Sequence, residues 1–383
     1  MAERFARIRR RGFAVLLAAC IVQPAIAASA SAVAKDPLAL AARKSDKASR
    51  SLLLAATVAG KRMVAVGERG IVIYSDNQGK TWNQSDVPVS VTLTSVYFAT
   101  PSKGWVAGHD GVILHSVDGG QTWKKQFDGN QANVMVLAEA ERRLRDADSA
   151  SEQVKKVAAA ALDDAKAAGE FGPSRPLFGI WFSNDLEGYV VGAFGQFFHT
   201  NDGGEHWESW ATRLDTPDGL HYNAISSTPG GLLTISGEAG KVYRSRDGGK
   251  TWQALDTGYR GQIYGVLGTP NGLGGEALVA FGFAGHMFRS ADGGVSWQAL
   301  DKQTAKSLTC GIALPNGSLV LVSQDGRLLQ SDDQGRNFTM TRTGTDMSVV
   351  AIVPVMSEKK AALFGSGGAR FVSLNDPDKV GHQ

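Results

Sequence analysis

Ser116-Val117-Asp118-Gly119-Gly120-Gln121-Thr122-Trp123 and Ser245-Arg246-Asp247-Gly248-Gly249-Lys250-Thr251-Trp252 share one pattern, S-x-D-x-G-x-T-W. Looser copies occupy residues 75–82 (Asn77 in the Asp place, ending at Trp82), 200–207 (Asp202, Trp207), 290–297 (Asp292, Trp297) and 331–338 (Asp333, ending at Phe338). The residue types describe a tight turn. A carboxylate accepts backbone N–H groups, glycines supply positive φ, and the Trp offers a large surface to pack between neighbouring sheets. Asn77, Asp118, Asp202, Asp247, Asp292 and Asp333 with Trp82, Trp123, Trp207, Trp252 and Trp297 are therefore read as structural, because a side chain engaged in holding its own turn is not free for calcium or catalysis.

The boxes begin 41, 84, 45, 45 and 41 residues apart. A unit of about 40 to 45 residues has the length of one four-stranded propeller blade. In one unit, residues 93–100 alternate as a strand, and 104–108, 111–115 and 123–126 follow as three more, so the box joins strands three and four. Units start near Leu52, Thr92, Leu177, Tyr222, Gln262 and Ser307. A seventh, from Ser348, has three strands and no box, and its missing outer strand is expected from residues 37–43. The prediction is an all-β, seven-bladed propeller over residues 36–375, with a flexible tail at 376–383.

The long interval holds an insertion rather than a blade. Residues 131–170 are rich in Ala and charge and contain no box. Val134, Leu137, Glu141 and Leu144 follow helical spacing. Asp146-Ala147-Asp148 interrupts, Ser149-Ala150-Ser151-Glu152 reads as a capping box, and Val154, Val157, Ala161, Leu162 and Ala165 form a second stripe, with Gly169 as its C-cap. A helical hairpin between blades 2 and 3 is predicted. Its stripes serve either the helix–helix contact or partner docking.

Within the 383 residues, 43% hydrophobic and 20% charged, a sizeable core can form, and 46 glycines imply many turns. Five arginines in residues 1–12, opposed by Glu3 alone, account for the net +3, so the rest of the chain is slightly acidic and phosphate-driven nucleic-acid binding has no support. That basic start, the apolar run 13–22 and a small-x-small site after Ala27 read as a signal peptide over 1–27, hence a periplasmic or equivalent exported location. Leu17-Ala18-Ala19-Cys20 also fits a lipobox, so lipid anchoring through Cys20 stays open beside soluble export. Arg10-Arg11-Gly12-Phe13 is a weak twin-arginine match. Cys310, the other cysteine, is read as a buried thiol.

The repeated G-x-x-G-φ-φ-φ-x-S-x-D-x-G-x-T-W pattern (φ apolar) over residues 52–374 resembles the Asp-box, or BNR, propellers of the photosystem II stability/assembly factor-like family. The resemblance implies a seven-bladed, non-catalytic propeller that helps a membrane protein complex assemble. Its non-photosynthetic bacterial members imply, as the complex, a resistance-nodulation-division exporter and its permease. No cofactor and no enzyme activity are expected, and the chain alone is expected to be a monomer.

Turns between strands two and three share one face of a propeller with the links between blades, and this face carries the chemical variety. Arg69, His109, Asp110, Phe194, Glu238, Phe283 and Asp325 on those turns, with Tyr259, Arg260, His221 and Tyr222 on adjoining links, are the candidate partner-binding residues, since mixed charge and exposed aromatics suit protein recognition. The alternative is a carbohydrate-binding or glycosidase-like propeller, for which Glu238 and Asp110 would be the carboxylate pair. A sialidase-like site would need an arginine cluster, and none is present. The seven histidines lack H-x-H and H-E-x-x-H spacing, no metal site is expected, and no Ser-His-Asp motif or phosphate loop occurs.

Overall fold

The computed structural model describes residues 35–214, 219–272, 274–355 and 360–374. The signal peptide, Cys20 and the tail at 376–383 lie outside them. The features below belong to the unit Asp36–Gln383.

Seven antiparallel meanders, six of four strands and one of three, follow one another along the chain. Their first strands are Leu53–Ala59, Leu93–Phe98, Leu177–Phe182, Tyr222–Ser227, Ile263–Pro270, Leu308–Ala313 and Val349–Val355. This is the expected all-β propeller. The second strand of a blade is buried along nearly all of its length, and Gly104–Gly108 and Leu233–Gly237 at every residue, because a neighbouring blade covers each face. Cores therefore form between blades: Trp105, Phe127, Phe182, Phe198 and Trp207 fill the seam of blades 2 and 3, and Tyr189, Phe197, Tyr222 and Tyr243 that of blades 3 and 4.

The boxes fold as read. In blade 2, Ser116 Oγ donates to Asp118 Oδ1 (2.8 Å) and accepts from Gly120 N (2.9 Å), while Asp118 accepts from Thr122 N (3.0 Å) and Thr122 Oγ1 (2.6 Å). Gly119 and Gly120 take φ of 72° and 86°. Asn77 reproduces the pattern in blade 1, accepting from Thr81 N at 2.9 Å. Thr251 hydroxyl and N–H hold the Asp247 carboxyl down at about 2. At Asp202 and Asp333 burial pushes upward, but the hydrogen bonds from His206 and Asn337 outweigh it and leave both at about 2. The box aromatics pack across the seams, Trp82 edge-on to Phe364 of blade 7 at 6.0 Å between centroids.

At five of the six boxes the turn is also held by the blade before it. The turn carbonyl accepts a donor across the seam: Gly119 O from Arg62 (3.1 Å), Gly203 O from Trp105 Nε1 and Gln126 Nε2 (both 3.0 Å), Gly248 O from Tyr189 (3.0 Å), Gly293 O from Arg244, and Gln334 O from Arg289 (2.8 Å). A made bond contributes only about 1 kcal/mol, whereas a carbonyl buried without a partner costs about 1–3 kcal/mol. Six side chains of four kinds meeting one need at five turns show that the need belongs to the turn.

Ring closure differs from expectation. Residues 37–43 do not supply the outer strand of blade 7. They follow the link between blades 1 and 2, where Ser90 N donates to Pro37 O and Ala42 N to Val87 O (both 2.9 Å), with Leu38 in the core beneath. Burying Leu38 and satisfying the link outweighs adding a fourth strand elsewhere. The ring closes by packing of Leu53, Ala65 and Ile73 against Val353, Val355 and Phe364.

The insertion is a helical hairpin, α1 (Gly129–Asp146) and α2 (Glu152–Glu170). The capping box sits on α1, where Asp128 accepts from Asn130 N and Gln131 Oε1 accepts from Asp128 N. α2 is capped by Ser151 rather than Ser149, and it runs past Gly169, with Gly172 taking the left-handed turn (φ 80°). The stripes differ too: Ala132, Ala140, Ala158 and Ala165 are the buried residues, while Val134, Val154 and Val157 face solvent. Small residues let the helices approach closely, so the larger valines are pushed to the outside. Among the described residues no helix is long and apolar enough to cross a membrane.

Candidate binding face

All seven blades make the same bond at one face. The N–H that follows the second strand donates to the carbonyl just before the first: Glu68 to Leu52, His109 to Thr92, Ala193 to Pro176, Glu238 to His221, Phe283 to Gln262, Gln324 to Ser307 and Ser366 to Ser348, at 2.8–3.1 Å. The strand-two glycines Gly67, Gly108, Gly192, Gly237, Gly282 and Gly365 lie against these carbonyls, where a Cβ would collide. The turns and the links are thereby fixed together, which brings the candidate residues to one face.

Arg69-Gly70, Asp110-Gly111, Phe194-Gly195, Ala239-Gly240 and Ala284-Gly285 take positive φ at both positions, as a type I′ hairpin turn requires. Glycine does so freely. Phe194, at φ 56°, does not: a bulky side chain in the left-handed region carries strain, and such strain gathers at functional sites.

Around Phe194 the structure brings together a guanidinium, an imidazole and a carboxylate. Its ring is 55% exposed. Arg175 lies over it at 5.2 Å and the His221 ring meets it edge-on at 4.7 Å. His221 Nδ1 accepts from Phe194 N (3.2 Å). Glu238 Oε2 accepts from His221 N (2.9 Å) and lies 3.6 Å from Nδ1, and Oε1 accepts from Gln262 Nε2 (3.4 Å). Burial lowers the Arg175 guanidinium, with Asp164 of α2 drawing it back up. Arg175 is half-buried and has no hydrogen-bonded acceptor among the described residues, so its guanidinium keeps donors to offer a ligand.

The other candidates are spread around the ring. Arg69 and His109 are exposed. Asp110 is half-buried under the start of α1, where Gly129 packs on its carbonyl; burial raises its carboxyl, His109 lowers it and Asp36 raises it. Phe283 is exposed. Tyr259 is half-buried on His286, 4.5 Å between centroids, and Arg260 pairs with Asp256 at 3.1 Å. Asp325 accepts from Ser323 Oγ (2.5 Å) and pairs with Arg327 (3.2 Å). Tyr222 is buried edge-on to Tyr243. Among the described residues no three His, Cys, Asp or Glu side chains converge to hold a metal ion.

Sequence reading missed Arg175. The signal was its setting, Pro173-Ser174-Arg175-Pro176, in which two prolines stiffen the exit from α2 and aim the residue. α1 starts on the candidate face, Ala132 and Met135 enter the core of blades 2 and 3, and the helix touches the outer strand Glu208–Ser209, so it leans on the outer wall.

The fold and this face define an Asp-box β-propeller that presents an aromatic and cationic surface on its link side. The chain belongs to the family described as photosynthesis system II assembly factor YCF48, whose model matches residues 74–140 and 174–329, more than half of it. The gap between the two matched stretches falls mostly on the hairpin. The photosystem II assembly lipoprotein Ycf48 of Synechococcus sp. (strain CC9902) is 33% identical over 66 residues, 16% of this chain and 20% of that protein, so the match takes in about a fifth of the relative. Among solved structures, YCF48 bound to D1 peptide aligns at TM-score 0.59 and 16% identity over 86% of this chain and 95% of that one. YCF48 from Cyanidioschyzon merolae gives 0.58 and 13%, over 86% and 97%. The extracellular domain of the one component system BT4673 of B. thetaiotaomicron gives 0.56 and 10%, over 84% and 38%. These structural likenesses show the fold.

Proposed function

We propose that this protein is a non-catalytic accessory factor that helps a membrane protein complex assemble in the exported space, and that it grips a segment of that partner at the Phe194 cluster. The carrying observation is the strained, exposed Phe194 with the donor-rich Arg175 on its ring. Strain persists where the surroundings enforce it, and an aromatic beside a desolvated arginine has the make-up of an interaction hot spot. Family membership supports an assembly role, and the name of one structural relative, bound to a D1 peptide, supports a membrane-protein segment as ligand. Lipid anchoring through Cys20 agrees with the relative named a lipoprotein. The complex put forward is a resistance-nodulation-division exporter, on the resemblance given above.

Crosslinking in cells that carry the exporter tests this. The tagged protein should capture the permease, and Phe194→Ala and Arg175→Ala should each lower capture while leaving the fold intact. Equal capture by all three would overturn the assignment of the site. No capture of the permease by the wild-type protein would overturn that partner.

A further inference from the structure

Phe194 and Phe283 stand on the turns of blades 3 and 5, with the turn of blade 4, which carries Glu238, between them. One hydrogen-bonded path joins the two. Phe194 N donates to His221 Nδ1 (3.2 Å), His221 N to Glu238 Oε2 (2.9 Å), Gln262 Nε2 to Glu238 Oε1 (3.4 Å) and Phe283 N to Gln262 O (3.1 Å). The Glu238 carboxylate thus fastens the link on either side of blade 4, and each link holds the backbone of one phenylalanine. The two side chains are positioned relative to one another before a partner arrives, which lowers the ordering cost of binding both.

Two features separate Phe283 from an ordinary turn residue. It is 52% exposed, close to the 55% of Phe194. Its place in the turn, where the N–H donates to the carbonyl before the first strand, is held in other blades by Glu68, His109, Glu238, Gln324 and Ser366, all polar, and by Ala193. That backbone bond asks nothing of the side chain. A ring left half in water at a position that polar residues fill as well points to recognition rather than to the turn. Between the two rings Glu238 is also open, its side chain 28% exposed. A carboxylate has about four acceptor positions, so beside His221 N and Gln262 Nε2 it can accept from a ligand.

We propose that the partner segment gripped at Phe194 runs on in extended form across blade 4 to a second anchor at Phe283. The segment carries two apolar side chains, one for each phenylalanine, with a basic residue between them facing Glu238. This rests on the reading of the Phe194 cluster given above and adds the second contact and the chemistry of the ligand. The hydrogen-bonded path makes the surface continuous with that cluster, and the carboxylate sets the charge of the residue that crosses it.

The probe is a random library of peptides of about twelve residues displayed on phage and selected on the full protein; such a peptide spans about 40 Å when extended. Selection on the wild type should yield two apolar positions with Lys or Arg between them. Phe283→Ser should erase one apolar position from the consensus, Phe194→Ser the other, and Glu238→Gln the basic one. By fluorescence anisotropy the best peptide should bind Phe283→Ser about tenfold more weakly than the wild type. Replacing the matching apolar residue of the peptide by serine should cost the wild type the same, a comparison that needs no variant to fold. A wild-type consensus with a single apolar position, or one unchanged by Phe283→Ser, overturns the second anchor and leaves the Phe194 reading standing. A consensus that Phe283→Ser alters and Phe194→Ser does not overturns the Phe194 reading and the continuous grip with it. No enrichment overturns the proposal. A consensus that matches residues 1–34 or 375–383 makes the chain's own end the occupant and overturns the partner assignment.

Discussion

The phenol of Tyr189, in the second strand of blade 3, lies 3.0 Å from both the carbonyl oxygen of Gly248 in the box turn of blade 4 and Glu187 Oε1, and its single O–H donates to one of the two at a time. Tyr189 is the one side-chain donor to that carbonyl among the described residues, whereas Gly203 O has two, Trp105 and Gln126. Tyr189→Phe should therefore cost about 1–2 kcal/mol, and Trp105→Phe less of the hydrogen-bond part because Gln126 remains. Chemical denaturation midpoints of the two variants measure this. Equal losses would mean that the seam carbonyls do not set the cost.

The box carboxylates carry a pH dependence of fixed sign. Asp247 titrates at about 2 in the folded chain, below the ~3.9 of an unfolded Asp. Its contribution is present above pH ~4 and disappears as pH falls toward 2. The turn is exposed, so solvent screening holds the contribution under about 1 kcal/mol. Asp247→Asn copies what Asn77 already does in blade 1. It should lower stability slightly at pH 7 and match the wild type at pH 2, as followed by denaturation across that range.

Phe194 has a conformation that glycine would accept without strain. Phe194→Gly removes that strain but also the contact with Arg175, so stability should stay within about 1 kcal/mol of wild type. Partner capture should nevertheless fall at least about tenfold, as for a hot-spot aromatic. A variant that unfolds, or one that captures normally, would contradict the role given to the ring.

In the hairpin, the residues that matter for stability are the small ones. Ala132 is buried beside Phe127 and Trp207, so Ala132→Asp should cost about 3 kcal/mol or more by burying a charge. Val157 is exposed, and Val157→Ser should stay within about 0.5 kcal/mol. Thermal unfolding of both variants separates the face that holds the hairpin from the face left over.

Burial pushes the Cys310 thiol up to about 12, although Thr309 pulls it down. Native protein at pH 8 should therefore alkylate at Cys310 roughly three orders of magnitude more slowly than unfolded protein, because the thiolate is the reacting form. Peptide mapping after timed iodoacetamide treatment reads the ratio.

The sequence by itself determined the repeat. In each box the bonds run between residues two to four apart, as from Ser116 to Asp118 and from Thr122 to Asp118, so residue type and spacing suffice to read the turn and then the seven-fold ring. The strand-two turns were legible for the same reason, because Gly70, Gly111 and their counterparts mark positive φ locally. The path of residues 37–43, the choice of Ser151 as cap and the burial of alanines over valines were decided by tertiary structure. Each depends on which surface of the ring or of the other helix stands opposite, and one stretch of sequence cannot weigh that competition. The candidate site was half legible: Phe194 and Glu238 could be placed on a face, but Arg175 and His221 come to Phe194 from different links, 19 and 27 residues away. Only the closure of the propeller sets those distances, since the packing between blades fixes where each link ends.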